Sequence, residues 1–283
     1  MAASRPGRQR ACPSSAADRG QPVQDVLAVA SGSLVGFILG LVGGGGSIIA
    51  VPLLLYVVGI GSPHLAIGTS AIAVSLSALA NLPNHARRGM VKWPCAMSFS
   101  AAGVAGAWAG STLAMSVPGD QLLALFGLLM IVVGSVMLLR KDAEGNPGIR
   151  LSFSTARQLL PLLLAIGFAV GGLSGFFGIG GGFLIVPGLM LATGMPIAHA
   201  IGTSLVAVAV FGAATASNYA ISGLVDWRIA ALFIGGGLAG GILGSLAGQR
   251  LSGRKGSLAM VFAVFVILIG IYVSWKGISP LLT

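Results

Sequence analysis

Long apolar runs dominate this sequence and limit what the chain can fold into. Runs of about 20 apolar residues can cross the roughly 30 Å hydrocarbon layer of a membrane as helices. Only 8% of the 283 residues are charged, whereas a soluble domain carries about a quarter. The sequence therefore predicts an all-α polytopic membrane protein. The predicted spans are residues 23–43, 64–82, 93–115, 121–139, 159–178, 198–221, 227–246 and 257–275, with shorter apolar pieces at 47–60 and 183–193.

The order of spans reflects an internal duplication. The stretch GLVGGGGSIIAVP at 40–52 matches GFFGIGGGFLIVP at 175–187 at six of thirteen positions. AIGTSAIAVS at 66–75 matches AIGTSLVAVA at 200–209 at seven of ten. Repeats of this kind are a recurrent way to build secondary transporters, with the binding site between the halves.

The duplication divides the chain into four parts. Residues 1–22, rich in Arg, Ser, Ala, Pro and Gly, are expected to form a disordered basic tail. Repeat 1 covers 23–139, a charged cytoplasmic linker covers 140–156, and repeat 2 covers 157–283. Each repeat is expected to contain four spans plus one short re-entrant segment, which gives about eight transmembrane helices.

The basic loops indicate how the chain is oriented, because Lys and Arg are enriched in cytoplasmic loops. With four crossings per repeat, the tail, the 85–92 loop and the 140–157 linker all lie on one side, which predicts parallel repeats with both termini in the cytoplasm. The loop that carries Arg250, Arg254 and Lys255 would then face outward. Counting the short pieces as full spans gives the alternative, ten helices in inverted repeats.

Clustered glycines stand at the equivalent place in each repeat and predict a broken helix, since glycine permits backbone conformations closed to other residues. Irregular backbone is tolerated at membrane depth only where it is buried or lines a polar cavity. A helix that begins there, at Ser47 or Phe183, would present unpaired N–H groups to an anion. Scattered glycines such as Gly36 and Gly40 are instead expected to pack helices closely. The clusters are Gly43, Gly44, Gly45 and Gly46 in repeat 1 and Gly178, Gly180, Gly181 and Gly182 in repeat 2.

Hydroxyl side chains follow each glycine cluster near the start of a long apolar run. Such hydroxyls donate to anion oxygens, but in membrane helices they often bond only to their own backbone. Their duplication favours a substrate role. Asn81 and Asn218 are weaker candidates, either as polar lining or as contacts between helices. The four hydroxyl residues are Thr69, Ser70, Thr203 and Ser204.

The sequence lacks the residue groups of an enzyme. It has no Ser-His-Asp arrangement, no metal-ligand spacing and no nucleotide-binding motif, so we expect no catalysis, no metal and no cofactor. All six acidic residues lie at termini or between apolar runs, which does not favour a proton relay through a buried carboxylate. The basic residues also lie in tails and loops, as in a membrane protein rather than a nucleic-acid-binding one.

The motifs together resemble the TauE/SafE sulfite exporter family, also called the TSUP family. They are the glycine cluster followed by a proline at 43–52 and 178–187, the Ala-x-Gly-Thr-Ser stretch at 66–70 and 200–204, and Gly-x-Val-x-Trp at 89–93 and 223–227. The resemblance covers nearly everything after residue 22. It implies a multi-pass permease of the bacterial inner membrane for sulfite, sulfoacetate, other organosulfonates or related sulfur compounds.

These observations favour a secondary transporter that binds a small anion between the two repeats. Backbone N–H groups and hydroxyls would supply the donors, because the predicted spans contain no Lys or Arg at mid-depth. Two alternatives are a passive anion channel, in which the same dipoles line a pore, and a membrane scaffold whose glycines serve packing alone. The expected partners are a small anionic solute and the lipid bilayer, not nucleic acid.

Overall fold

The computed structural model describes residues 17–42, 44–139, 153–180, 182–250 and 255–279. All regular structure within these ranges is helical, in ten segments that we number α1 to α10. Segment α2 combines a 3-10 turn at Gly44–Ile49, one α-helical turn at Ala50–Pro52 and a π turn at Leu53–Val57. The others are α1 Ala17–Val42, α3 Pro63–Arg87, α4 Trp93–Met115, α5 Gly119–Leu139, α6 Phe153–Phe177, α7 Gly182–Thr193, α8 Ile197–Ile221, α9 Trp227–Arg250 and α10 Lys255–Ile278.

Length and composition make this a multi-pass membrane protein, as predicted. Six helices of the described residues are long and apolar enough to cross a membrane. Shorter apolar helices occupy Gly46–Val57, Gly182–Thr193 and Ala263–Ile278. The six long candidates are Pro22–Gly40, Pro63–Arg87, Gly119–Val136, Leu160–Phe177, His199–Ile221 and Trp227–Ala247.

Two helices begin earlier than the sequence suggested. Helix α1 begins at Ala17, inside the predicted disordered tail at 1–22, and α6 begins at Phe153, inside the predicted linker at 140–156. Once a helix is nucleated, each added residue gains one hydrogen bond, so both helices continue past their apolar cores into polar sequence. The remainder of the tail and linker, 1–16 and 140–152, lies outside the described residues.

Equivalent sequence signals start and stop the two central helices. Helix α3 has Pro63 in its first turn and α8 follows Pro196, a residue that suits a helix start because its φ is already helical. Gly89 after α3 and Gly223 after α8 have φ values of 67° and 70°. Glycine adopts this left-handed conformation without strain, and it ends the helix. Each central helix is therefore 25 residues long.

Glycine rows allow unusually close packing of α1 on α9 and of α4 on α6. A β-carbon on Gly36 would collide with the backbone of Gly237, and one on Gly40 with the backbone of Gly241. On the other pair, a β-carbon on Gly171 would collide with the backbone of α4. Gly36 and Gly40 thus serve the packing role expected from the sequence. Residue numbers also increase together along α4 and α6, since Gly106 meets the backbone of Phe168 and Gly110 meets that of Gly172. Helix α1 is therefore parallel to α9, and α4 is parallel to α6.

The central helices α3 and α8 cross in opposite directions. The Ser75 hydroxyl donates to the Ala209 carbonyl at 2.6 Å, and these residues are 134 positions apart, so each helix meets its counterpart at the equivalent residue. A β-carbon on Gly212 would contact Ala71 and Ser75. Higher numbers on α8 therefore face lower numbers on α3, which is antiparallel pairing.

The remaining contacts fix the direction of the other helices. Gly237 of α9 contacts Ser77 of α3, and Gly241 contacts Asn81, so α9 is parallel to α3. Gly103 of α4 contacts Phe211 of α8, and Ser111 of α4 accepts from Asn218 of α8, so α4 is parallel to α8. Helices α1, α3 and α9 therefore run one way, while α4, α6 and α8 run the other. Helices α1, α3 and α4 are therefore antiparallel to their counterparts α6, α8 and α9.

This geometry corrects the expectation of parallel repeats with re-entrant short segments. In that arrangement α1 and α3 would run in opposite directions, whereas here they run in the same direction. Segment α2 therefore has to carry the chain back from the end of α1 to the side on which α1 began, rather than dip in and return. By the same reasoning α7 carries the chain back between α6 and α8. The charge pattern misled the prediction because it was applied to four crossings per repeat.

Candidate functional site

The two glycine breaks meet beside the α3–α8 crossing. Helix α1 ends at Val42 and α6 ends at Phe177, and the 3-10 turn of α2 packs against α7. Gly178 lies against Ile67 of α3, and Gly180 lies between Val74 of α3 and Val208 of α8. Both glycines have φ near 65°. The sequence prediction of a helix break at these places agrees with the described backbone.

The glycine candidates differ in what surrounds them. Gly44 and Gly45 belong to the 3-10 turn, and a β-carbon on Gly46 would meet the backbone of Leu39. Gly182 is the first residue of α7 and is buried. Ser47 is fully buried within the 3-10 turn rather than at the start of an α-helix. Gly43 and Gly181 lie outside the described residues.

Thr69 and Thr203 form a reciprocal pair of contacts between the halves. The Thr69 hydroxyl oxygen accepts a hydrogen bond from the backbone N–H of Asp226 at 3.0 Å. The Thr203 hydroxyl oxygen accepts one from the backbone N–H of Lys92, also at 3.0 Å. Thr69 of the first half thus binds the residue just before α9, and Thr203 of the second half binds the residue just before α4. We call these two contacts the threonine latches; because α3 and α8 are antiparallel, they lie at opposite ends of the central pair.

The neighbouring serines bond to backbone carbonyls. The Ser70 hydroxyl lies 2.9 Å from the Ile67 carbonyl and 3.1 Å from the Gly178 carbonyl, so one donor is shared between its own helix and the glycine break. The Ser204 hydroxyl donates to the Ile201 carbonyl at 2.8 Å. All four predicted hydroxyls are fully buried. Only the bonds from Ser70 to Ile67 and from Ser204 to Ile201 lie within the residue's own helix, which was the alternative role in the sequence interpretation. The bonds of Thr69 and Thr203 reach the other half instead.

Asn218 connects α8 to α4, whereas Asn81 bonds within its own helix. The Asn218 amide donates to the Ser111 hydroxyl at 2.7 Å and to the Thr112 hydroxyl at 2.9 Å. The Asn81 amide donates to the Ser77 carbonyl at 2.9 Å. Asn218 is therefore a contact between helices, which was one of its two expected roles.

Two buried hydroxyls near the second glycine break were missed by the sequence analysis. Ser174 and Thr215 are each 0% exposed, and neither side chain has a hydrogen-bond partner among the described residues. Thr215 is the counterpart of Asn81 at the 134-residue offset, and Ser174 lies four positions before Gly178. These positions could have marked the two residues as candidates. They were not selected because neither hydroxyl is repeated in the other half.

Charged groups are found at the ends of the bundle. Arg228 of α9 donates to Asp25 of α1 at 2.6 Å, and both side chains are partly exposed. The Asp226 carboxylate accepts the backbone N–H of Ile229 at 3.0 Å and caps the first turn of α9. Within the described ranges, no group of three or more His, Cys, Asp or Glu could hold a metal ion.

Comparison with known proteins identifies the family. The model of the family described as "Sulfite exporter TauE/SafE" matches residues 28–273. A "probable membrane transporter protein" of Xylella fastidiosa (strain 9a5c) is 50% identical over 256 residues, which cover 90% of this chain and 97% of that protein. The probable membrane transporter protein YunE of Bacillus subtilis (strain 168) is 27% identical over 270 residues, covering 89% of this chain and 98% of YunE. No solved structure matches the chain.

Proposed function

We propose that this chain, which belongs to the sulfite exporter TauE/SafE family, is a secondary transporter that carries a small anion across a bacterial inner membrane. Sulfite, an organosulfonate or a related sulfur compound is the proposed solute class. The family membership supports transport of a solute. The anionic character is inferred from the donors at the glycine breaks.

The packing of the two glycine breaks against each other is the observation on which the proposal depends. Each break interrupts a helix beside the α3–α8 crossing, where the halves meet. In transporters with broken helices, half-helix N-termini point at anionic groups of the substrate. Helix α7 begins at Gly182 immediately after the second break, so its first-turn N–H groups are the proposed donors.

We further propose ten crossings in inverted repeats, with α2 and α7 as the short ones. The side on which α3 ends and α4 begins then carries ten of the 16 Lys and Arg residues, and the positive-inside rule places it in the cytoplasm. Both termini then lie outside, which reverses the orientation expected from four-crossing repeats. The ten are Arg87, Arg88, Lys92, Arg140, Lys141, Arg150, Arg157, Arg250, Arg254 and Lys255.

Alternating access follows from this symmetry. In inverted repeats, each half can adopt the conformation of the other half. The state that is open to one membrane face is then the mirror of the state that is open to the other face. The threonine latches lie at opposite ends of the α3–α8 pair. Release of one latch while the other stays closed would expose the glycine breaks to one side at a time.

Uptake by vesicles that contain the purified chain tests the function. The probes are radiolabelled sulfite, sulfoacetate and taurine, with sulfate and chloride as comparison anions and protein-free vesicles as the control. We expect saturable uptake of at least one sulfur oxyanion. Equal uptake of every probe in both vesicle types would rule out the proposal.

A further inference from the structure

Five buried hydroxyls have no hydrogen-bond partner among the described residues, those of Ser100, Ser174, Thr215, Tyr219 and Ser274. Two of them, Ser174 on α6 and Thr215 on α8, belong to helices that both pack against α4. Each residue is 0% exposed, and neither hydroxyl has a hydrogen-bond partner among the described residues. Burial of a hydroxyl without a partner is destabilising. A group of this kind in a well-packed protein therefore calls for a specific explanation.

Ser174 lies at the depth of the second glycine break. The backbone N–H of Ile179 donates to the Ser174 carbonyl at 3.3 Å, so this serine belongs to the last turn before the break. The next residue, Gly175, packs on the backbone of Ala107 in α4. Ser174 is therefore level with Ala107 along α4.

Thr215 reaches the same level from α8. Phe211 of α8 contacts Gly103 of α4, and Asn218 donates to Ser111 of α4. Thr215 lies between these two contacts along a helix that runs parallel to α4. The two hydroxyls thus occupy one level of the bundle, on two helices that both pack on α4.

The hydroxyls of Thr69, Ser70 and Thr203, which the sequence favoured as anion donors, already have partners. Ser70 already donates to the Gly178 carbonyl, and Thr69 and Thr203 accept backbone N–H groups. An anion needs donors, and hydrogen bonds to a charged oxygen are roughly twice as strong as neutral ones. Of the five buried hydroxyls without a partner among the described residues, Ser174 and Thr215 are the two level with Ala107. Ser100 lies seven residues before Ala107 on α4, Tyr219 packs on Gly68, and Ser274 packs on Gly127.

We propose that the Ser174 and Thr215 hydroxyls donate to the oxygens of a sulfite or sulfonate bound at the second glycine break, together with first-turn N–H groups of α7. This rests on the proposed function, whose site it specifies. Repeat 1 has Leu39 and Asn81 at the equivalent positions. The hydroxyl pair therefore belongs to the second half alone, which gives one anion site rather than two.

Thermal unfolding of the purified full chain in detergent, with and without added sulfite, tests this assignment. The variants are Ser174→Ala and Thr215→Val, and Thr215→Ser restores the hydroxyl. Ser274→Ala is the matched control, since its hydroxyl also lacks a partner among the described residues but lies against Gly127 in the α5–α10 pair. Without sulfite, Ser174→Ala and Thr215→Val should be at least as stable as the wild type, because an unpaired polar group is removed.

Sulfite should raise the unfolding temperature of the wild type, Thr215→Ser and Ser274→Ala. In Ser174→Ala and Thr215→Val, the concentration needed for the same rise should be at least about tenfold higher, as expected for one lost charge-assisted hydrogen bond. An equal rise in all five proteins, or a rise in none, overturns the assignment. This readout is independent of flux, so failure of the wild type to transport would refute the proposed function while this site is judged on its own.

Discussion

Replacing Thr69 or Thr203 by valine tests whether the threonine latches hold the two halves together. Valine keeps the shape of threonine but removes the oxygen that accepts the N–H of Asp226 or Lys92, both at 3.0 Å. Serine at the same position keeps that oxygen and is the matched control. The sequence alone favoured these threonines as anion donors, so the experiment separates two roles.

The expected cost follows from the unpaired N–H group. An unsatisfied buried donor costs about 1–3 kcal/mol. Asp226 and Lys92 are only partly buried, so water replaces some of the lost contact and we expect about 1 kcal/mol per latch. The latches lie at opposite ends of the central pair, so the double variant should lose about 2 kcal/mol by additivity.

Thermal unfolding and vesicle uptake together provide the assay. A loss of about 1 kcal/mol lowers the unfolding temperature by roughly 2–4 °C in a chain of this size. The same loss of about 1 kcal/mol changes the equilibrium between the latched and the released state of one end of the α3–α8 pair by about fivefold. The KM for the solute should change little, since the latch oxygen accepts from the backbone. A large rise in KM with unchanged stability would refute the latch and favour direct anion binding.

Three further outcomes follow from the packing and topology. Gly171→Ala should destabilise the protein by about 1–3 kcal/mol through overpacking against α4. Gly235→Ala, in the interior of α9 with open space around its β-carbon, should leave the unfolding temperature unchanged or raise it, since alanine is the better helix former; an equal loss in both variants would contradict the close packing. Asn218→Leu should lose about 1–3 kcal/mol because it removes the donor to two hydroxyls of α4, and unfolding at the wild-type temperature would contradict that estimate. In spheroplasts, a membrane-impermeant maleimide should label Cys12 in the N-terminal tail, with buried Cys95 unlabelled; labelling of Cys12 only after lysis would place the tail in the cytoplasm.

Much of the architecture could be read from the sequence because the signals are local. Hydrophobicity identifies helices, and clustered glycines mark breaks whatever the tertiary fold. The 134-residue spacing between Thr69 and Thr203 also pointed to corresponding positions. In the structure these two residues make corresponding contacts in opposite halves.

Helix direction could not be read in the same way. The loop charges are compatible with different numbers of crossings, and the short segments α2 and α7 decide between them. Their direction depends on contacts between distant residues, such as Ser75 with Ala209. No local pattern encodes those contacts.

The hydroxyl roles were also beyond the sequence. A buried threonine can donate to a solute or accept from a backbone N–H, and only the distance to Asp226 or Lys92 distinguishes them. Conversely, Ser174 and Thr215 look unremarkable in the sequence because neither is repeated. Their significance comes from being buried without a partner among the described residues.

Counterflow in vesicles tests the central claim, that this chain is an anion carrier with one site exposed alternately. Vesicles loaded with unlabelled sulfite and diluted into a trace of labelled sulfite should accumulate the label transiently above its equilibrium level. Exchange through a carrier produces this overshoot, because the internal solute competes with labelled solute for outward transport. A simple approach to equilibrium with no overshoot, at concentrations where wild-type uptake is otherwise rapid, would contradict the carrier mechanism and indicate a channel.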